Sequence, residues 1–533
     1  MNYGTLPNGN YQTGEIPEYN EGTIRNKNNI KGWYFYSFSS EPFVVSAVAT
    51  YIPLLLEHFA RINGVTLEDH SIQCTSDHNK CVLGIFNGRL YIDTSSFALY
   101  TFSLSVLFQT FLVISVSGIV DVWKTVEVKR NMLILFGFIG SLSTIYVATL
   151  HTSQYYTLAL LAILSNSCYG VVNVVGNSLL PSFVSESLES VRTNADDQEM
   201  RDIDTETTLV SGRGASIGYF SALLVQIFSI GLIRNSKSKE NIQIAVLLVG
   251  LWWLVWQLPI LWLMRDPPRT SIENSMHSLQ RSLQTKRKWR HSLSYFKYGW
   301  LSLFEALKHA RLLKDVVIFL FGWFIVSDSI TTINSTAILF SKTELKMGTL
   351  NLIVVSILTM VNAILGAFII PQYISKSFHF PPEKILIYII CWASVIPFYG
   401  ILGFVFKNIG LKHQFEMYIT AIWYGFALGG LSAVSRSVFS LIIPKGREST
   451  FFSLFSVTDK GSSVLGPFLI ALITDRTHNI RNAFYLLFGL LVLAIPIFGS
   501  LDVARGKHEA ELLCSIQASP EEEDVDDAVD YEI

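Results

Sequence analysis

Twelve apolar runs of roughly twenty residues limit what this chain can fold into more than any other feature. A helix of about 20 residues crosses the hydrocarbon core of a bilayer, which is about 30 Å thick. The composition agrees, because 50% of the 533 residues are hydrophobic and only 15% are charged, against about 25% in typical soluble domains. We therefore expect an all-α polytopic membrane protein with twelve transmembrane helices. The runs lie at residues 33–56, 97–120, 132–150, 156–184, 214–233, 243–264, 315–340, 350–370, 385–406, 415–443, 451–474 and 482–501.

The polar segments between the runs define the expected domains. An even number of crossings puts both termini on one side, and the Lys and Arg residues of the longest central loop place that side in the cytosol. The acidic end, PEEEDVDDAVDYEI, is too charged to fold by itself. We expect a cytosolic polar tail at 1–32, a six-helix bundle at 33–264 with a lumenal loop at 57–96, a basic cytosolic linker at 265–314, a second six-helix bundle at 315–501 and an acidic, disordered cytosolic tail at 502–533.

Three pairs of short motifs recur in the same order in the two halves. They are GWYFYSFSSEPF and GWFIVSDSITTI in helices 1 and 7, GVVNVVGNS and GGLSAVSRS in helices 4 and 10, and GRGASIG and DKGSSVLG in helices 5 and 11. Repeats in matching order indicate duplication of a bundle. We expect the two bundles to be related by pseudo-twofold symmetry.

The loop between helices 2 and 3 reads SGIVDVWKTVEVKR, with Gly118, then Asp121, then a basic run. This pattern, with two six-helix bundles joined by a long linker, resembles the major facilitator superfamily. The usual glycine after the acid is missing. The resemblance implies a carrier that works by alternating access, with Asp121 in its gate.

A narrower resemblance covers nearly all of residues 28–505. The stretches VVNVVGNSLLPSFV, VSGRGASIGY, GGLSAVSRSVFSLIIPKGRESTFFSLFSVTDKGSSVLGPF and LITDRTHNIR look like those of the autophagy-related vacuolar amino-acid effluxers of yeasts. That family implies a vacuolar membrane protein that exports large neutral amino acids, such as leucine, isoleucine and tyrosine, from the lumen to the cytosol. It also implies a link to the recycling of autophagic breakdown products.

Two acidic residues lie deep in predicted helices, where a charge costs about 3 kcal/mol or more. Glu41 is about 12 Å into helix 1 and precedes Pro42. Asp328 lies near the middle of helix 7, where Thr331, Thr332 and Ser335 share its face and Asn334 is close by. We expect Asp328, Glu41, Thr331 and Asn334 to bind a substrate ammonium or a coupling proton. The alternatives are a Glu41 that reaches interfacial water and an Asp328 bonded to a neighbouring helix.

A second polar set lies on helices 4, 5, 10 and 11. Asn173 and Asn177 are four residues apart and line a cavity or join two helices. One interpretation is that Arg213 and Lys460, related by the repeat, supply the cation that the carboxylate of a zwitterionic amino acid needs; the favoured one is a gating network, for example Arg436 with Asp459. The charged members of this set are Arg213, Arg436, Asp459 and Lys460.

Gly214-Ala215-Ser216-Ile217-Gly218 also spells G-x-S-x-G, the pattern of a hydrolase nucleophile elbow. An elbow needs a strand before the serine, whereas Ser216 here opens an apolar helical run. Gly214 and Gly218 are instead expected to let a neighbouring helix approach closely.

Cys74 and Cys81 share the lumenal loop, where an oxidising compartment favours a disulfide. We expect no metal, no cofactor, no catalytic residue and no nucleic-acid partner; the partners are small-molecule amino acids, the lipid bilayer and, where transport is coupled, protons. Proton coupling and facilitated diffusion both stay open. The alternatives from other classes are a membrane hydrolase acting on intravacuolar vesicles and a non-transporting sensor or scaffold.

Overall fold

The fold is known from a computed structural model that describes thirteen stretches of the chain. Within them, eleven helices are long and apolar enough to cross a membrane. The described stretches are residues 17–66, 70–74, 81–86, 88–123, 125–192, 203–235, 241–266, 300–301, 313–375, 380–406, 408–463, 465–477 and 479–515. The predictions for residues 1–16, for most of the linker 265–314 and for residues 516–533 lie outside these stretches.

The N-terminal bundle begins with a span that changes helix type. Pro42 lies where α1 gives way to a π-helical stretch, Phe43–Tyr51, before α2 begins. Proline lacks the amide donor that an α-helix needs, so the hydrogen-bond pattern shifts there. The helices are α1 (Pro17–Pro42), α2 (Ile52–Ile62), α3 (Thr94–Trp123), α4 (Val126–Val147), α5 (Tyr155–Ser178), α6 (Leu180–Arg192), α7 (Ile203–Asn235), α8 (Asn241–Trp256) and α9 (Pro259–Leu263).

The C-terminal bundle repeats this organisation with its own interruptions. A second π-helical stretch, Ile370–Ser375, follows α11, and a 3-10 turn, Ile480–Asn482, precedes α16. The helices are α10 (Lys314–Thr343), α11 (Thr349–Ile369), α12 (Pro382–Val405), α13 (Gln414–Ile442), α14 (Glu448–Ser462), α15 (Leu465–Thr477), α16 (Ala483–Gly499) and α17 (503–515).

The eleventh apolar run is two helices rather than one. α14 ends at Ser462 and α15 begins at Leu465. Glu448, at the start of α14, pairs with Lys129 on one side of the bundles, whereas Arg481, just after α15, hydrogen-bonds the carbonyl of Leu411 beyond the far end of α12. Together α14 and α15 therefore cross the membrane once.

A small antiparallel sheet forms part of the predicted lumenal loop. Its strands are β1 (Val65–Thr66), β2 (Cys81–Ile85) and β3 (Leu90–Asp93), in the order β1-β2-β3, with Val82 opposite both Val65 and Asp93. A disulfide joins Cys74 to Cys81, with the Cα atoms 5.9 Å apart. We call the membrane face with this sheet the disulfide side, and the opposite face, where residues 265–314 connect the bundles, the linker side.

The two predicted tails are partly helical. α1 already begins at Pro17, and Asn29 exchanges two hydrogen bonds with the backbone of Arg265, at 3.2 and 2.9 Å. At the other end, residues 503–515 form α17, whose residues Val503, Ala510 and Leu513 are buried. The prediction of a disordered tail from residue 502 is therefore wrong for 503–515, because this amphipathic segment covers apolar surface on the bundle.

Candidate functional site

Aromatic side chains of α1 fix the site on one side. The indole Nε1 of Trp33 donates to the carbonyl of Gly176 at 2.8 Å, and the Tyr36 hydroxyl donates to the carbonyl of Asn173 at 3.3 Å. A Cβ added to Gly176 would overlap the Tyr36 ring, and one added to Gly214 would overlap Trp33. Glycines on α5 and α7 therefore let these rings lie flat against backbone.

Glu41 lies eight residues, or about two helical turns, beyond Trp33 on α1. Its side chain packs against Gly218, where an added Cβ would come within 3.1 Å of the Glu41 Cγ. Gly214 and Gly218 thus both face α1, which is the neighbouring helix that approaches α7. The small residues make room for a tryptophan and a carboxylate.

Arg436 on α13 faces the same space without a salt-bridge partner among the described residues. Its Cζ lies 5.7 Å from the centre of the Trp33 ring, a cation–π contact. Its Nη1 is buried and has no hydrogen-bond partner. The charges of Arg436 and Lys460 both act on Glu41, yet no pair closer than 4 Å forms with it, since Lys460 pairs with Asp459.

Two asparagines of α5 border this space. Asn177 Nδ2 donates to Asn173 Oδ1 at 3.0 Å, and Asn173 Nδ2 donates to the Tyr169 hydroxyl at 3.3 Å. Asn177 Oδ1 is buried and has no hydrogen-bond partner among the residues that the structure describes. The two side chains bond along their own helix and leave one acceptor free.

Asp459 belongs to a separate network. It accepts hydrogen bonds from Ser327 Oγ at 2.6 Å and Trp323 Nε1 at 3.2 Å, and Lys460 Nζ lies 3.5 Å from its other oxygen. Asp459 therefore pairs with Lys460 and not with Arg436, contrary to the pairing that the sequence suggests. Arg213 is exposed and acts on Tyr34 instead, so the four charged residues do not form one cluster.

Asp328 is buried and accepts a hydrogen bond from the backbone amide of Gly466 at 2.8 Å. This amide belongs to the first turn of α15, so the carboxylate caps a helix that begins inside the membrane. The expected polar face of α10 is divided, because Thr332 is buried beside Asp328 whereas Thr331 and Asn334 are exposed. Thr332 Oγ1 has no hydrogen-bond partner.

Asp121 joins the two bundles on the linker side. Its carboxylate accepts from the backbone amides of Ser449 at 2.9 Å and Thr450 at 2.7 Å, in the first turn of α14. Beside it, Lys129 Nζ lies 3.7 Å from Glu448. An acid from one bundle therefore caps a helix of the other.

Helix α7 continues this seam. Ser211 Oγ donates to the carbonyl of Ala433 at 2.7 Å, and Ser216 Oγ donates to the carbonyl of Ile364 at 3.1 Å. The hydroxyls of Thr208 and Ser437 are 2.8 Å apart. The bonds of Asp121, Lys129, Thr208 and Ser437 lie near the linker-side ends of α3, α4, α7 and α13, so the polar contacts described between the bundles are concentrated on that side.

Ser216 is buried within the continuous helix α7. The residues directly before it, from Ile203 onward, are helical rather than a strand, and its hydroxyl donates to the carbonyl of Ile364. The nucleophile-elbow interpretation is therefore wrong. No group of three or more metal-ligating side chains occurs among the described residues.

The sequence did not identify Trp33, Tyr36 or α17 as parts of the site. Trp33 and Tyr36 stand in the first helix as GWYFY, whose glycine and aromatic residues could have indicated close packing. Lys507 of α17 forms an ion pair with Asp204 at the start of α7, and Arg505 pairs with Asp315 at 2.6 Å. Nothing local in the sequence announces these pairings, since the partners are far apart in the chain.

Solved transporters share the fold. The proton:xylose symporter XylE superposes with a TM-score of 0.59 over 93% of this chain and 100% of its own, at 12% identity. The human organic anion transporter MFSD10 gives 0.56 over 91% and 100%, at 10% identity. This chain therefore shares the fold of these solved transporters.

The sequence comparisons are more specific. "Autophagy-related protein 22" of Vanderwaltozyma polyspora is 69% identical over 97% of this chain and 99% of its own length. The proteins of the same name from Saccharomyces cerevisiae and Yarrowia lipolytica are 58% and 39% identical, over 98% and 91% of this chain and 99% and 98% of theirs. The family described as "Vacuole effluxer Atg22 like" matches residues 25–511. This chain is therefore a multi-pass vacuolar transporter, not an enzyme, and belongs to the Atg22-like vacuole effluxer family.

Proposed function

We propose that this protein is a secondary carrier that exports large neutral amino acids of the leucine, isoleucine and tyrosine type from the vacuole lumen to the cytosol. It does so by rocking one bundle against the other, and it thereby recycles autophagic breakdown products. The linker side faces the cytosol in this proposal, as the basic linker predicts. The protons of an acidic lumen drive export through Glu41 or Asp328, or the amino acid moves down its own gradient.

The observation that carries the proposal is that the hydrogen bonds between the two bundles are concentrated on the linker side. The bundles are joined on the linker side by Asp121 and by Thr208, while neither Glu41 nor Arg436 has a salt-bridge partner in the part of the chain that the structure describes. A polar site between two bundles whose hydrogen bonds are concentrated on one side is the arrangement expected for alternating access. In this state the substrate would enter from the disulfide side.

The test is counterflow in vesicles that contain the purified full-length protein. Vesicles loaded with unlabelled leucine should accumulate labelled leucine, isoleucine or tyrosine, and loading with aspartate or lysine should give no accumulation. A matched preparation of Asp328→Asn should exchange more slowly. Accumulation that is absent with every neutral amino acid would contradict the proposal.

The coupling of leucine transport to protons is measured in the same vesicles. An imposed pH gradient, acidic on the loaded side, should speed net leucine efflux when protons are coupled and leave exchange at equal pH unchanged. Equal efflux with and without the gradient would show facilitated diffusion instead.

A further inference from the structure

Glu41 and Arg436 face each other across the bundle interface without meeting. The charge of Arg436 acts on Glu41, and both charges act on the hydroxyls of Tyr36, Tyr169 and Tyr219. These tyrosines come from α1, α5 and α7, so the two charged groups share one space among three helices. Lys460 also acts on Glu41, and Asp459 on Tyr219, but these two are already paired with each other.

The gap between the two groups has a structural cause. Arg436 is held over Trp33, and Glu41 is held on Gly218. Trp33 and Glu41 are eight residues apart, which is about 12 Å along a helix. The guanidinium and the carboxylate are therefore held at different turns of α1, and no ion pair within 4 Å joins them among the described residues.

A ligand with two opposite charges would complete this arrangement. Each unpaired charge in the membrane interior costs about 3 kcal/mol or more, and a guanidinium binds a carboxylate strongly through paired N–H donors. A zwitterion that hydrogen-bonds each group, at about 2.8 Å from each, would bridge two charges that do not meet directly. Asn177 Oδ1, buried and unpartnered, offers a second acceptor for an ammonium group.

We infer that the backbone of an α-amino acid binds between Arg436 and Glu41, with its carboxylate on the Arg436 guanidinium and its ammonium on the Glu41 carboxylate. This inference rests on the proposed function and adds the site. In this arrangement the two charged residues recognise the ammonium and carboxylate groups that all neutral amino acids share. The side chain of the bound amino acid would then contact the surrounding tyrosines. Asp328, capping α15, is outside this pair.

The test measures binding without transport. The thermal unfolding temperature of the purified full-length protein is followed with millimolar leucine, with leucinol, which lacks the carboxylate, and with 4-methylpentanoate, which lacks the ammonium; a ligand that binds the folded state raises this temperature. In the wild type, leucine should bind at least about tenfold more tightly than either analogue. Arg436→Gln should bind leucine no better than leucinol, and Glu41→Gln should bind leucine no better than 4-methylpentanoate.

Controls separate recognition from folding. Arg436→Lys, which keeps the charge, should retain part of the preference for leucine over leucinol, and Arg89→Gln, on the exposed β2–β3 turn, should behave as the wild type. The inference is overturned if Arg436→Gln keeps the wild-type preference, or if Asp328→Asn rather than Glu41→Gln removes discrimination against 4-methylpentanoate. In either case counterflow by the wild type would leave the proposed function standing, whereas a wild type with neither leucine binding nor counterflow would end both.

Discussion

At the scale of single residues, Asp121 joins the two bundles through both of its carboxylate oxygens. Its two oxygens accept hydrogen bonds from the backbone amides of Ser449 and Thr450. These amides lie in the first turn of α14, where an amide has no carbonyl partner within its own helix. The substitution Asp121→Ala should reduce the stability of the state in which the linker side is closed by about 1 kcal/mol, the usual value of such a cap. The equilibrium between open and closed states should then shift about fivefold toward the open state.

This change is measured by alkylation of a cysteine placed at Ser437, a buried residue beside Thr208 in the seam. The alkylation rate should rise about fivefold in the Asp121→Ala background. Asp93→Ala, at the end of β3 on the disulfide side, serves as the control. Equal rates in both backgrounds would show that the cap does not hold the seam.

The glycines of α7 give a second prediction at this scale. Gly214→Ala should destabilise the protein by about 1–3 kcal/mol, because the new Cβ overlaps the Trp33 ring in a packed interface. Gly231→Ala on the same helix is the matched control, since nothing lies within 4 Å of its new Cβ. The unfolding temperature of each purified variant reports the difference, and a drop of equal size in both would exclude the Trp33 contact as its cause.

At the scale of secondary-structure elements, α17 is anchored by a buried acid. The Asp315 side chain is fully buried and accepts two 2.6 Å hydrogen bonds from Arg505, an interaction that raises the pKa of Arg505 above its ordinary value. Arg505→Gln leaves the Asp315 charge without its cation. We expect a loss of about 2 kcal/mol, less than the 3–5 kcal/mol of a fully buried pair, since Arg505 is 39% exposed.

Two further variants serve for comparison: a double variant that carries both Asp315→Asn and Arg505→Gln, and the single variant Lys507→Gln. The double variant removes the charge together with its partner and should recover part of the lost unfolding free energy. Lys507→Gln breaks a pair whose side chains are 30% and 21% exposed, and it should cost about 1 kcal/mol. A double variant less stable than Arg505→Gln would contradict this account.

The disulfide near β2 is tested by counting thiols. Alkylation of the denatured, unreduced protein should label Cys168, Cys391 and Cys514, which are free in the structure, and reduction should add Cys74 and Cys81. Intact-mass measurement distinguishes three labels from five. Five labels before reduction would show that the pair is open in the cell.

The elements also show where prediction from sequence ends. Membrane spans follow from length and hydropathy, although the first span begins at Ile24 rather than at residue 33. The break between α14 and α15 does not, because the apolar run is continuous and the cap on Gly466 comes from Asp328 on α10. α17 was missed for the same reason, since its acidic and basic residues resemble a solvated tail until Asp315 and Asp204 are placed beside them.

At the scale of the whole molecule, the seam between the bundles has to open in every cycle. The hydroxyls of Thr208 and Ser437 lie 2.8 Å apart across it. A Thr208→Cys, Ser437→Cys protein, made without its three free cysteines, should therefore form a disulfide on oxidation. Counterflow should fall to background and return on reduction, while each single variant should keep its activity after oxidation. Undiminished counterflow in the cross-linked protein would mean that the bundles do not separate here.

The first span is much longer than the membrane is thick. It runs from Ile24 to Ile62, 39 residues, or about 58 Å at 1.5 Å per residue, against a hydrocarbon core of about 30 Å. A tilt of the whole span by about 10° about its midpoint would move each end by about 5 Å. A rotation of this size is within the range seen for subunits and domains. Ile24, exposed at its linker-side end, would then carry the largest displacement, and a spectroscopic label there would report the motion of a site that it never touches.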